Sequence, residues 1–314
     1  MDMELTSGQR ELQASLQQLL GRYKQLPKAE AIAYTLSDAL DADLAASGYL
    51  DIARTEGLGD LEAVLLVEAA SQLPYCNEVA ASALVAPRVS RDALPRPLAL
   101  AAAPLSGSTP ASLGGPVRYL PIAKAVLVDT GRDVRLLDPA KCTVRAVPSV
   151  FAYPIGVLEK ADLDAAPVVK GASPAELRRA WQLALAAETL GCTQAAIDIT
   201  LGYLKERKQF GRAIGTFQAL QHRISECVSM LESLRVLVYR AAQTGKPGDA
   251  ATAAFYAQDV APRVVLDCQQ MHGAMGCTLE YPLHFWTYRM KVLQGELGGS
   301  IAQAEAMAEA LWAA

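Results

Sequence analysis

KERKQFGRAIGTFQALQHR, residues 205–223, governs how the rest of the chain is read. Lys205, Arg207, Lys208 and Arg212 crowd its first half, and Gly211 permits a turn. Cations at the end of a helix complement its dipole; the same cations suit an anion held outside it. After the turn, Phe217, Leu220, Ile224, Cys227, Leu231, Leu234 and Val238 step by three and four, a long packing seam on a helix that begins near Gly215. Gln218, Gln221 and His222 form a polar stripe beside that seam.

Working backward, Ser173-Pro174-Ala175-Glu176 has the pattern of a capping box with proline at the first helical position. It predicts a helix from there to about Arg207, with Leu183, Leu190, Ile197, Leu201 and Leu204 on one side. Working forward, helices are predicted over roughly Asp249–Met271 and from about Ser300 to the end. Residues 173–314 therefore read as a four-helix bundle.

The first third is helical as well. Ser7 is the expected cap of a helix carrying Leu12, Leu16, Leu19 and Leu20; Ala29–Ala46 and Leu61–Ser71 follow the same period. Near Pro95 the pattern changes to short apolar and β-branched runs, with Asp129–Asp133 as a hairpin turn. The reading is mainly α with a small β domain: a helical domain over 1–94, a reduced β domain over 95–150, a linker over 151–172 and the bundle over 173–314.

The bulk numbers exclude several classes. Among 314 residues, 52% are hydrophobic and 20% charged, and the net charge of −4 gives no field for nucleic acid or an anionic membrane. No apolar run is long enough to span a bilayer, and the N-terminus lacks a signal-peptide core, so a cytoplasmic setting is expected. The six cysteines show no C-x-x-C spacing and are expected as buried thiols; the three histidines are too scattered for a metal site.

A second segment, QMHGAMGCTLEYPLHFWTYR at 270–289, carries Gly273 and Gly276, where a backbone can approach a ligand closely, and the two-faced amide of Gln270. Together the two segments resemble the acyl-CoA dehydrogenase family: YLKERKQFGRAIGTFQALQHR is similar to its arginine, Phe-Gly and aromatic-Gln signature, and QMHGAMGCTLEYP to its Gln-x-x-Gly-x-x-Gly…Glu-Tyr-Pro loop. The likeness is strong over 173–290, fainter over 39–87 and poor over 95–150.

That resemblance implies two helical domains flanking a β domain, assembly as a tetramer, and FAD lying across a subunit interface. Carried over, the FAD contacts are Arg207, Lys208, Gln209, Phe210, Gln218, Gln270, Met271, His272, Gly273 and Ala274, with Arg207 on the pyrophosphate. It also implies α,β-dehydrogenation of an acyl-CoA thioester, with a glutamate base and an electron-transfer acceptor.

Three departures from the family pattern bear on that chemistry. An ungapped count places Leu297, Gly298 and Gly299 where the family has Glu-Gly-Thr, leaving Glu296 one position early. One position turns a side chain by ~100° on a helix. The alternative base position, on the helix before Arg207, holds Trp181; beside it Gln182 stands in place of a ligand arginine, which Arg178 or Arg179 would have to replace from another turn. The ring-binding loop of the β domain is reduced to APLSGSTP near 103–110.

The expectation is a non-catalytic subunit of an α2β2 complex of the steroid or bulky-acyl type, lending FAD contacts to a partner that holds the ring and the base. Two alternatives stand beside it: a self-sufficient homotetramer with Glu296 as base, and a scaffold that binds no flavin.

Overall fold

The computed structural model describes residues 4–26, 34–102 and 115–312. The N-terminal part contains α1 (Ser7–Leu20), α2 (Asp38–Ser47), α3 (Asp60–Ser71) and the short α4 (Ala86–Val89). Thr6, rather than Ser7, caps α1: its hydroxyl accepts from the Gln9 amide while the Gln9 side chain reaches back to the Thr6 amide. Ser37 caps α2, which starts later than the sequence period suggests; residues 29–33 of that expected helix lie outside the described residues.

Two three-stranded sheets follow. Strands β1 (Leu98–Ala102), β3 (Ala125–Asp129) and β4 (Val134–Leu137) form the first, with β1 parallel to β3 and Asp129 opposite Val134 across the expected hairpin. Strands β2 (Val117–Arg118), β6 (Ile155–Lys160) and β5 (Thr143–Val147) form the second. Strand β6 runs through the stretch expected as a linker, because its pairing to both β2 and β5 satisfies backbone groups that a loop would leave to water.

The helix α5 (Pro174–Glu206) is the axis of the molecule. Ser173 accepts from the Glu176 amide, but the Glu176 carboxylate turns to Arg179, so only half of the expected box forms. The helix is buried on nearly every side, as a run rich in alanine and leucine permits. At Gly191 it meets α3 so closely that a Cβ there would lie 2.3 Å from the Glu68 carbonyl oxygen.

Against α5 pack α6 (Gln218–Thr244) and α7 (Pro247–His272), α9 (Gly299–Trp312) packs on α7 to complete the expected bundle, and one unforeseen short helix, α8 (His284–Leu293), also lies on α5. Strands β7 (Lys208–Gln209) and β8 (Arg212–Ala213) make a minute hairpin between α5 and α6. In α8, the buried Arg289 donates to the carbonyls of Phe285, Ser71, Leu73 and Tyr75, tying the bundle to the end of α3. No helix among the described residues is long and apolar enough to cross a membrane. All six cysteines are free; Cys277 is exposed and Cys142 partly so, against the expectation of six buried thiols, because both lie in surface turns.

Candidate functional site

The opening segment builds an exposed, rigid, cationic ribbon. Arg207 ends α5, and the Ile214 amide returns to its carbonyl at 2.8 Å. Phe210 and Gly211 take φ of 54° and 78°, the left-handed pair that a two-residue hairpin needs. Glycine adopts this freely; for phenylalanine it is strained. The ring of Phe210 is 89% exposed and meets Phe217 edge-on at 6.0 Å, while the Arg212 guanidinium lies 4.3 Å over the Phe217 ring.

Strand pairing sets which side chains share a face. Lys208 pairs with Ala213 and Gln209 with Arg212. Alternation then places Arg207, Gln209 and Arg212 on one face of the ribbon. Among the described residues neither Arg207 nor Arg212 has a carboxylate within ion-pairing distance, whereas Arg223 and Arg263 on the adjoining helices pair with Asp267 and Glu226.

The second segment is placed differently. Gln270, Gly273 and Ala274 are exposed, but Met271 and His272 are buried. Their side chains are committed inward: His272 stacks on Tyr203 at 4.4 Å and its Nδ1 lies 2.8 Å from the Cys268 carbonyl. Any contact from these two to a ligand outside must come from backbone. Burial pushes the His272 imidazole below its ordinary value. Gly273 has φ 63° and ψ −141°, and a Cβ on Gly276 would lie 2.4 Å from the Gln269 carbonyl oxygen, so both positions require glycine. Gln218 is exposed at the start of α6.

Glu296 belongs to a second, wholly different site. Its Oε1 accepts from Trp181 Nε1 at 3.0 Å, and its Oε2 lies 2.8 Å from Arg118 Nη2. Arg118 also donates to both oxygens of Glu188 at 3.0 Å, and Glu188 accepts from the Tyr153 hydroxyl. The guanidinium lies 4.7 Å from the Tyr153 ring centre and 5.6 Å from that of Tyr119. Side-chain exposures are 12% for Arg118, 13% for Glu296 and 7% for Glu188, so this is a buried carboxylate–guanidinium–carboxylate triad.

The backbone at both ends of the triad is strained. Tyr119, next to Arg118, has φ 63°, and Leu297, next to Glu296, has φ 54°. Leu297 is held there by the Gln303 amide on its carbonyl, and Gln258 clasps the carbonyls of Leu293 and Glu296. Burial pushes the Glu296 carboxyl above its ordinary value, with Arg118 pulling it back. Burial also works against the Arg118 charge, but Glu188 and then Glu296 outweigh it and hold the guanidinium well above its usual value.

Space around the triad is nearly gone. The residual cavity lined by Leu98, Leu100, Arg118, Trp181, Glu188 and Glu296 is about 20 Å³. That is room for a single water, far below the several hundred Å³ (roughly 300–1,000) of a ligand pocket. The neighbouring positions are equally occupied: Gln182 donates to Gln303, Arg178 pairs with Asp129, and Arg179 with Asp60 and Glu176. The ring loop expected near 103–110 lies outside the described residues.

Residues 181–312 match the family described as acyl-CoA dehydrogenase, C-terminal domain. Its C-terminal part is similar to the C-terminal domain of the acyl-CoA dehydrogenases. The short/branched chain specific acyl-CoA dehydrogenase of Bos taurus is 37% identical over 107 residues, 32% of this chain and 25% of that protein. The acyl-CoA dehydrogenase FadE34 of Mycobacterium tuberculosis is 32% identical over 183 residues, 56% of this chain and 24% of that protein. The chain thus matches about a quarter of the length of these curated relatives.

Solved structures extend the acyl-CoA dehydrogenase likeness to the whole fold. The Tcur3481-Tcur3483 steroid ACAD G363A variant aligns with a TM-score of 0.78 and 25% identity, covering 97% of each chain. The ChsE4-ChsE5 complex from Mycobacterium tuberculosis aligns at 0.77 with 22% identity, covering 98% of each. The sequence reading singled out Glu296 and Trp181 but not Arg118, Glu188, Tyr119 or Tyr153. One signal was available: Glu188 is a lone charge inside the apolar run LALAAETLG, where a buried charge needs a partner.

Proposed function

We propose that this chain is a subunit of a heteromeric, FAD-dependent acyl-CoA dehydrogenase, and that it lends nucleotide contacts to a flavin bound mainly by its partner. The observation that carries the reading is the triad of Glu188, Arg118 and Glu296. A dehydrogenating base must reach the α-proton of a bound thioester. Glu296 is the candidate for that role, and it is spent on Arg118 and Trp181 with only about 20 Å³ beside it.

The nucleotide side fits its group. Arg207 and Arg212 present cations on one ribbon face with no carboxylate partner among the described residues, Phe210 offers an exposed ring, and the exposed Gly273 leaves the space where a Cβ would stand open. FAD, when bound, supplies the acceptor for two electrons. This chain's residues would hold its diphosphate and exclude water from it; proton removal falls to a carboxylate of the partner subunit. The likeness to a steroid ACAD and to the ChsE4-ChsE5 pair supports an α2β2 assembly acting on a bulky acyl-CoA, with an electron-transfer protein as onward acceptor.

The test is purification of the chain alone and with its dehydrogenase-like partner. The proposal expects no flavin absorbance from the chain alone, a yellow complex, loss of FAD in Arg207→Ala, and unchanged turnover of the complex in Glu296→Gln. Bound FAD with turnover abolished by Glu296→Gln would favour a self-sufficient homotetramer. A complex whose FAD content ignores Arg207→Ala would favour a scaffold.

A further inference from the structure

We infer that Arg212 is a second anion-binding arm beside Arg207, held in place by Phe217, and that its ligand is the diphosphate of the flavin nucleotide. This rests on the flavin reading above and goes beyond it. The sequence assigned the anion to Arg207 and left Arg212 as one more cation near a helix end.

Three observations point to Arg212. First, the pairing of Gln209 with Arg212, and the Ile214 amide bonded to the Arg207 carbonyl, put both arginines on the same ribbon face, diagonal to each other. Diagonal neighbours on a two-stranded ribbon are within reach of long side chains. Two guanidinium groups so placed repel unless an anion lies between them. Second, neither has a carboxylate partner among the described residues, although arginines elsewhere on α6 and α7 do. The nearby chain does not supply the missing anion.

Third, Arg212 is already oriented. Its guanidinium lies 4.3 Å over the Phe217 ring, and Phe217 in turn is the N-cap residue of α6, fixed by the bond of its amide to the Ile214 carbonyl. Stacking uses the face of the guanidinium and leaves its N–H edge to donate. It also restrains a side chain that would otherwise lose much rotamer freedom on binding. The strained Phe210 lies edge-on to the same Phe217 ring at 6.0 Å. A diphosphate suits the arrangement because it offers oxygens to two planar forks at once.

The experiment is titration of FAD into the apo complex, followed by flavin fluorescence, with coenzyme A titrated in parallel. Arg212→Gln is expected to weaken FAD roughly ten- to hundredfold, the loss of one charge-assisted contact, and to lessen the salt dependence of binding. Arg212→Lys is expected to recover only part, since an ammonium neither stacks nor forks. Phe217→Leu is expected to weaken FAD several-fold in the native background and to add nothing in the Arg212→Gln background; a purely structural role for Phe217 would persist there. If Arg207→Ala lowers FAD affinity and Arg212→Gln does not, the inference about Arg212 is overturned while the flavin reading survives. If neither changes it, the flavin reading itself fails. If Arg212→Gln weakens coenzyme A and leaves FAD untouched, the diphosphate belongs to the thioester carrier and the inference is wrong.

Discussion

Arg118 Nη2 stands 2.8 Å from Glu296 Oε2, joining the edge of the small second sheet to the turn before the last helix. Through Glu188 on α5 the same guanidinium reaches the central helix. Glu296, the one candidate base in the chain, is thus part of a buttress between three parts of the molecule. Arg118→Met leaves two buried carboxylates without their cation. We expect it to cost about 3–5 kcal/mol, the usual cost of breaking a buried pair from one side, read as a lower urea midpoint with an unchanged slope.

The pH dependence of stability tests the charge state of Glu296. Burial raises its carboxyl in the folded chain above the unfolded value, with Arg118 opposing. The folded state therefore binds this proton more tightly, so its contribution is full below the unfolded pKa and is lost as pH rises through the folded pKa. Glu296→Gln removes that decline. Denaturation of both proteins from pH 4.5 upward should show the variant gaining relative to the native chain as pH increases. A constant difference would show that Arg118 keeps Glu296 ionised throughout.

His272 gives the opposite sign. Its imidazole is depressed by burial, so the unfolded chain binds the proton more readily. Stability should fall as pH drops below the unfolded value of about 6.5 and level off below the folded one. His272→Phe keeps a ring against Tyr203 and should make the chain less sensitive to acid over that interval, measured by urea midpoints at pH 7.5 and 5.5.

Gly191→Ala sets propensity against packing. Alanine is the better helix former by about 1 kcal/mol. Here its Cβ would sit 2.3 Å from the Glu68 carbonyl oxygen and 2.6 Å from Ser71 Cβ. We expect packing to win with a net loss of about 1–3 kcal/mol, visible in the thermal midpoint.

Phe210→Ala should separate stability from binding. An exposed ring at the hairpin tip contributes little to folding, so the change in stability should stay within about 0.5 kcal/mol. FAD retention by the complex should drop. A variant that keeps its full flavin content would remove Phe210 from the nucleotide contacts.

The turn between α5 and α6 was legible, though not the strand pairing within it, because its information is local. Gly211 reports the turn, the cations report the charge, and the seam from Phe217 to Val238 reports the helix that follows. The inward turn of the His272 ring was not legible, because a loop motif does not say which way a ring turns; Tyr203, on α5, draws it inward. The extra strand β6 was missed because pairing with β2 and β5, not its own composition, makes it a strand.

By itself the sequence determined the four long helices, the small β insertion between helical parts and the motifs that resemble the acyl-CoA dehydrogenases, since period, caps and turn residues act over a few positions. The tertiary structure alone decided the fate of Glu296. Arg118, Glu188 and Glu296 lie far apart in the chain, and their meeting depends on how a sheet edge, a helix and a turn pack together. Electrostatic pairing is set by distance in space, which no local pattern records.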